Sequence, residues 1–187
     1  MLNPVRIYGT WDEGVVLDSH MLKSVFLGYD ENGKEKFENT RTELGELIYR
    51  FKYQNDKSSV YAIMEIIKDI LDKWNLKDKI DVVIPVPPSN KKRAYQPVFE
   101  IAKEIAKYLN KECVIDMLSK ESELQIKDGY SIHGMIRKNK NVENKKCILV
   151  IDDLFSTGAT LNEVCRVLKS DDNVDKIYCL ALTKTKG

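Results

Sequence analysis

The stretch Cys147-Ile148-Leu149-Val150-Ile151-Asp152-Asp153 constrains this chain more than any other: an unbroken apolar run delivers two adjacent carboxylates. Such a run, short and rich in β-branched residues, reads as a strand buried on both faces, which is the habit of parallel sheets covered by helices. In open sheets of that kind ligands bind at the carboxyl ends of the strands. The residues after the aspartates suit that position. Leu154-Phe155-Ser156-Thr157-Gly158-Ala159-Thr160 is a short loop, and Leu161, Val164, Cys165 and Leu168 then set a helical stripe. Ser156, Thr157 and Thr160 offer hydroxyls, Gly158 lets the backbone turn so that N–H groups point at one anion, and the helix amino end adds partial positive charge. Residues 154–160 are therefore expected to hold a phosphate. Asp152 and Asp153 would repel a phosphate that they faced, so they are expected to face sugar hydroxyls or a hydrated Mg²⁺. The plainer alternative, two aspartates capping a helix beside a Ser-Thr-Gly turn, requires neither the second carboxylate nor three hydroxyls.

The surrounding chain alternates between helix and strand periods. Val60, Ile63, Met64, Ile67, Ile70, Leu71 and Trp74 form a helical stripe, Ile80–Val86 a buried strand, and Val98, Ile101, Ala102, Ile105, Ala106 and Leu109 a second stripe opened by Pro97. Cys113–Leu118 and Ile177–Leu182 read as further strands. Upstream, Thr40-Arg41-Thr42-Glu43 has the form of a capping box ahead of Leu44, Leu47, Ile48 and Phe51. The alternation predicts an α/β domain with a mostly parallel sheet flanked by helices. Two regions depart from it. Residues 1–40 hold short apolar stretches around Asp30-Glu31-Asn32-Gly33, a type I′ hairpin signal, and are expected to be a small β-rich appendage to a core over 41–187. Ser119–Lys146 is polar and nearly aperiodic, either disordered or a functional lid.

Composition removes several function classes. With 187 residues, 43% of them hydrophobic, the chain has material for one core. Its 30 basic and 29 acidic residues nearly cancel, which argues against a direct nucleic-acid or membrane-surface binder. No apolar run approaches a bilayer span, and Met1–Gly14 lacks the grading of a signal peptide, so the expected setting is the cytoplasm. The four cysteines form no C-x-x-C pair and read as reduced thiols. A G-x-x-x-x-G-K-[ST] loop and a G-x-G-x-x-G loop are both missing, and a receiver domain would carry its acidic pair near its start, whereas 34 residues follow Asp153.

Val150-Ile151-Asp152-Asp153-Leu154-Phe155-Ser156-Thr157-Gly158-Ala159-Thr160 resembles the signature of the type I phosphoribosyltransferases, which bind phosphoribosyl pyrophosphate (PRPP). The resemblance implies that Asp152 and Asp153 hold the ribose hydroxyls and that Leu154 to Thr160 wrap the 5′-phosphate, with Ser156-Thr157 standing where the family often has two threonines. Ile84-Pro85-Val86-Pro87-Pro88-Ser89-Asn90-Lys91-Lys92-Arg93 lies where the family places its pyrophosphate loop, which implies pyrophosphate contacts from Pro88, Ser89, Asn90, Lys91, Lys92 and Arg93. Within the superfamily the chain is most similar to the competence protein F (ComF)-like group, through Leu47 to Asp56, Pro85-Val86-Pro87 and Arg93-Ala94-Tyr95-Gln96. Many members of that group begin with a four-cysteine metal ribbon, which this chain lacks. The resemblance covers roughly residues 44–183.

What it implies is transfer of the 5-phosphoribosyl group from PRPP to a nitrogen nucleophile, with Mg²⁺ as cofactor, an unidentified small-molecule acceptor as partner, and a homodimer as the oligomer common in the superfamily. It also implies a loop that closes over the reaction centre with a cation, for which Arg137 is the candidate. Lys52 is placed to reach a phosphate and Tyr53 to stack on a base, each equally consistent with a helix-end surface role. Trp11, Trp74 and His20 read as structural residues, and His133 lies within the long polar stretch. Two alternatives stay open: a PRPP- or nucleotide-binding regulator without catalysis, and an accessory protein of DNA uptake or processing.

Overall fold

The computed structural model describes residues 2–89, 95–121 and 134–185. In chain order the elements are β1 (Val5–Arg6), β2 (Glu13–Ser19), β3 (Met21–Tyr29), β4 (Glu35–Arg41), α1 (Glu43–Tyr53), α2 (Ser59–Lys73), α3 (Leu76–Lys79), β5 (Val82–Pro85), α4 (Pro97–Leu109), β6 (Glu112–Cys113), β7 (Leu118–Lys120), β8 (Ile136–Lys138), β9 (Lys146–Phe155), α5 (Ala159–Leu168) and β10 (Val174–Lys184). Six strands form one sheet in the order β1-β2-β10-β9-β5-β6, parallel throughout except for the antiparallel β1. The expected α/β architecture is present, with the apolar run 147–151 near the centre of the sheet.

Strand alternation divides the core in two. Leu17, Val83, Leu149, Ile151, Leu180 and Leu182 meet the buried faces of α1, α2 and α4. Val16, Ile84, Ile148, Val150, Cys179 and Ala181 meet α5, with Trp11, Met117, Ile136 and Val142 closing that side. Both faces of β9 are thereby buried, which is why its sequence shows no polar alternation.

Three features differ from the sequence expectation. The appendage over residues 1–40 divides: β2 pairs in parallel with β10, with Val16 and Leu17 fully buried, so only the β3–β4 ribbon stands apart. Its turn is not type I′, because Gly33 alone of the Asn-Gly pair has a positive φ; the Asp30 carboxylate instead accepts from the Asn32 and Lys34 amides. The cap of α1 is Thr42 rather than Thr40, its Oγ1 accepting from the Gly45 amide at 3.0 Å. At Gly45 a side chain has no room, since a Cβ would stand 2.2 Å from the His20 carbonyl oxygen.

The described residues of the polar stretch 119–146 include most of a small ribbon. β7 and β8 pair antiparallel, and Asp171 pins the return of the chain by accepting from Lys138 Nζ at 2.7 Å and from the Val142 amide at 2.9 Å. Those donors hold the Asp171 carboxyl well below the usual carboxylate range. Residues 122–133, with His133, lie outside the described residues.

Candidate active site

The end of β9 and the segment after β5 line one cleft together with Lys52 of α1. At the end of β9 the Asp153 amide donates to Asp152 Oδ1 at 2.8 Å. Lys52, from the last turn of α1, reaches across with its Nζ 2.8 Å from Asp153 Oδ2. The Thr183 hydroxyl donates to the Asp153 carbonyl at 3.1 Å, and His20 Nδ1 lies 3.1 Å from that hydroxyl oxygen. With the hydroxyl proton committed to the carbonyl, the Nδ1 proton of His20 is the donor in that contact. Burial, then the nearby Arg41 and Lys52 cations, lower the His20 pKa and favour a neutral ring.

Asp152 carries the largest perturbation in the cleft. Burial, reinforced by the Asp153 charge beside it, pushes its carboxyl up to about 7, and the Lys52 cation opposes that rise. Two adjacent carboxylates in a half-covered cleft with one lysine between them are short of positive charge or of hydrogen-bond donors. A ligand that brings hydroxyl donors supplies what is missing.

Beyond the aspartates, Leu154 to Leu161 and Asp152 enclose a hollow of about 150 Å³. Gly158 turns the chain into α5 with φ +79°, and its missing side chain leaves the Phe155 ring, 3.1 Å from a Cβ built there, undisturbed. Asn162 Nδ2 donates to the Gly158 carbonyl at 3.1 Å, while its Oδ1 accepts from the Thr10 amide. The loop is thus fixed from both sides with Ser156 and Thr157 exposed at the amino end of α5.

A second hollow, of about 300 Å³, adjoins the first and shares Asp152, Leu154 and Thr160 with it. Lys52, Pro87, Pro88, Ser89, Gln96 and Lys120 line its other walls. Lys120 Nζ donates to Ser89 Oγ at 2.8 Å and so bridges β7 to the segment after β5. Larger hollows of about 360 and 640 Å³ lie at the opposite end of the sheet and along α2, but neither joins a strand-end acid pair to a helix amino end.

The cleft therefore brings together Asp152, Asp153, Leu154 to Thr160, Pro88, Ser89 and Lys52. Asn90, Lys91, Lys92 and Arg93 lie outside the described residues. Tyr53 is largely exposed, its ring 5.2 Å from that of Tyr49, and does not line the cleft. Arg137 sits opposite Ser119 in the ribbon, pairs with Glu121 at 2.8 Å and is likewise absent from the lining. Sequence reasoning missed Lys120, Gln96, Thr183 and the link from His20. Only Gln96 left a trace, in the Arg-Ala-Tyr-Gln run; the others depend on strand pairing that no local pattern encodes.

A family model described as the phosphoribosyl transferase domain matches residues 52–184, from the cleft lysine to the end of β10. The chain belongs to that family. A transcriptional regulator, GfcR, of Methanocaldococcus jannaschii is 31% identical over 107 residues, which are 57% of this chain and 44% of that protein, so the chain spans under half the length of this relative. Among solved structures, adenine phosphoribosyl transferase from Trypanosoma brucei superposes with a TM-score of 0.51 at 10% identity, covering 98% of this chain and 86% of that one. Adenine phosphoribosyltransferase from Thermoanaerobacter pseudethanolicus gives 0.48 at 15% identity, covering 88% and 95%. The first likeness shows the shared fold. Among the described residues no helix is long and apolar enough to cross a membrane.

Proposed function

We propose that the protein binds PRPP in the β9–α5 cleft and transfers its 5-phosphoribosyl group to a nitrogen nucleophile, a nucleobase or related small molecule. The observation that carries this reading is the acid pair Asp152–Asp153 set between a helix amino end on one side and Lys52, Ser89 and Lys120 on the other, within a domain of this family. The 5′-phosphate occupies the 154–160 loop. The ribose hydroxyls donate to Asp152 and Asp153. The pyrophosphate extends toward Pro88, Ser89 and Lys120, with Asn90 to Arg93 as the further candidates from the same segment.

In the reaction the bond from C1′ to the pyrophosphate oxygen breaks with its electrons on pyrophosphate, a C1′–N bond forms, and the acceptor's N–H proton is released to solvent. The chain's own part is to fix the ribose and to neutralise charge as it develops on the leaving group. A ribbon closing over C1′ would exclude water, and Arg137 is the cation that β8 would bring on closing. The acceptor is assigned to the space between this ribbon and the β3–β4 hairpin, which together with the core over 41–187 would frame the site.

For Mg²⁺ the described residues offer no ready cage. Among the described residues no three His, Cys, Asp or Glu side chains converge, and Asp153 is already engaged by Lys52. That donor set suits an ion carried on pyrophosphate oxygens with its own water shell, where it would offset the charge of the leaving group. Within the family we assign the chain to the competence protein F-like branch, on Lys52-Tyr53 and Pro85-Val86-Pro87. A cytoplasmic setting agrees with its four unpaired cysteines.

The test is binding, then turnover. PRPP with Mg²⁺ at about 100 times Kd stabilises by roughly 2.7 kcal/mol, a rise in Tm on the order of 5–10 °C. Pyrophosphate release across a panel of nucleobases and small amines then identifies the acceptor. An unchanged Tm at millimolar PRPP overturns the proposal. A second reading, a PRPP-responsive regulator without turnover, is supported by the relative named a transcriptional regulator; tight binding without pyrophosphate release from any acceptor would select it.

A further inference from the structure

Among the described residues the β3–β4 ribbon pairs with no other strand. From Leu22 to Thr40 none of its residues is buried, and its anchorage lies at the base, where the Thr42 amide donates to the His20 carbonyl and Thr42 Oγ1 donates to that of Ser19. A lone two-stranded hairpin is marginal in water and gains independent stability from a third strand or a packed face. This one carries an aromatic cluster that the described residues leave about half exposed. The Phe26 ring lies 5.5 Å from Phe37 and 5.4 Å from Tyr29, and the three side chains are 46–65% exposed.

We infer that the outer edge of β4 docks a second copy of this chain, strand against strand, about a two-fold axis through Phe37. The two edges of the ribbon are unequal. Both register breaks fall on β3, at Leu22 and Leu27, which makes its edge irregular, whereas β4 runs unbroken from Glu35 to Arg41. Antiparallel pairing of β4 with itself about a perpendicular two-fold must centre on one residue. Centring on Lys36 or on Glu38 sets identical charges directly opposite one another, which is destabilising. Centring on Phe37 instead sets Lys36 against the partner's Glu38 and Glu38 against the partner's Lys36. Among the described residues neither Lys36 nor Glu38 has an ion-pair partner within its own chain. The same register places Phe37 against the partner's Phe37, since opposed antiparallel residues stand about 4.5–5.5 Å apart at Cα. The Phe26–Phe37 pair of each copy then becomes half of one aromatic row across a four-stranded sheet.

Sedimentation equilibrium of the full chain from about 1 to about 500 µM tests this, with a reversible monomer–dimer equilibrium expected. Glu38→Lys turns both cross-axis pairs into Lys–Lys contacts and should raise the dimer dissociation constant about tenfold. Lys36→Glu combined with Glu38→Lys rebuilds the pairs in reverse and should return it to within about twofold of the parent. Circular dichroism and Tm of each variant report that the fold is kept. A monomer throughout the range overturns the inference. So does a dimer indifferent to Glu38→Lys, and so does one that the charge exchange does not recover.

Discussion

The two walls of the cleft are built in opposite ways. One wall is a single run of chain, Asp152 to Thr160, in which the acid pair, the Ser-Thr-Gly loop and the helix amino end come one after another without a gap. The other wall is assembled from α1, the segment after β5 and the β7–β8 ribbon, which contribute Lys52, Ser89 and Lys120 from positions up to 68 residues apart in sequence. A contiguous wall is fixed by local geometry, while an assembled wall depends on how three elements pack. The first should therefore respond to substitution residue by residue, and the second as a unit.

The largest expected effects come from the acid pair. Asp152→Asn and Asp153→Asn should each weaken PRPP binding by about 10- to 100-fold, the range of a charge-assisted hydrogen bond, while affinity for inorganic phosphate is nearly kept. Isothermal titration with both ligands checks this, and loss of simple phosphate binding in a folded variant would break the division of roles. Asp152→Asn should also raise Tm without ligand at pH 8, because it removes a buried charge that repels its neighbour.

Next in size is pH. Hydroxyl donors favour ionised Asp152, so PRPP affinity should climb as pH rises through about 7 and level off above it. In stability the sign is reversed. The raised carboxyl stabilises the unliganded fold below the ordinary aspartate range, and that contribution is lost as pH rises through about 7. Lys52→Met removes a cation that holds Asp152 down, so the midpoint of the binding profile should move to higher pH. An unmoved midpoint would show that the assembled wall does not act on the contiguous one.

Lys120→Ala and Arg137→Ala sharpen the comparison within one ribbon. Lys120 already lines the cleft, and its loss should weaken PRPP binding about 5- to 20-fold. Arg137 faces away, so its loss should leave affinity within about twofold and instead lower kcat, as expected of a contact made only on closing. Among the residues that line the cleft, the smallest effect belongs to Thr157→Val, about 3- to 10-fold weaker binding of PRPP and phosphate alike, the range of one neutral hydrogen bond.

The same contrast explains what could be read in the sequence. The contiguous wall was legible because an apolar run, an acid pair and a Ser-Thr-Gly loop are local patterns with local causes. The central strands and the helices α1, α2, α4 and α5 were legible from periodicity. Val15 to Leu17 were not recognised as part of the main sheet, because the partner that makes β2 a parallel neighbour, β10, is the last strand of the chain. Lys120 was hidden for a similar reason: pairing with Ile136 turns it inward, while the next pair, Ser119 with Arg137, faces the other way. The turn at Asp30 shows a finer limit, since a carboxylate that reaches two amides chose the conformation that the Asn-Gly pair alone would not.

The close seat of Gly45 against the His20 carbonyl gives α1 the mechanics of a lever. Its first turn rests on a fixed point at the root of the hairpin, and two turns further along the same rigid rod, about 10 Å away, stands Lys52 with its ammonium on Asp153. There is no compliant joint between fulcrum and tip, because Leu44, Ile48 and Phe51 are packed into the core along the way. A methyl group added at residue 45 would tilt the rod where it is held and be felt where it is charged. The spacing of the cleft is in this sense gauged at a residue that never touches it.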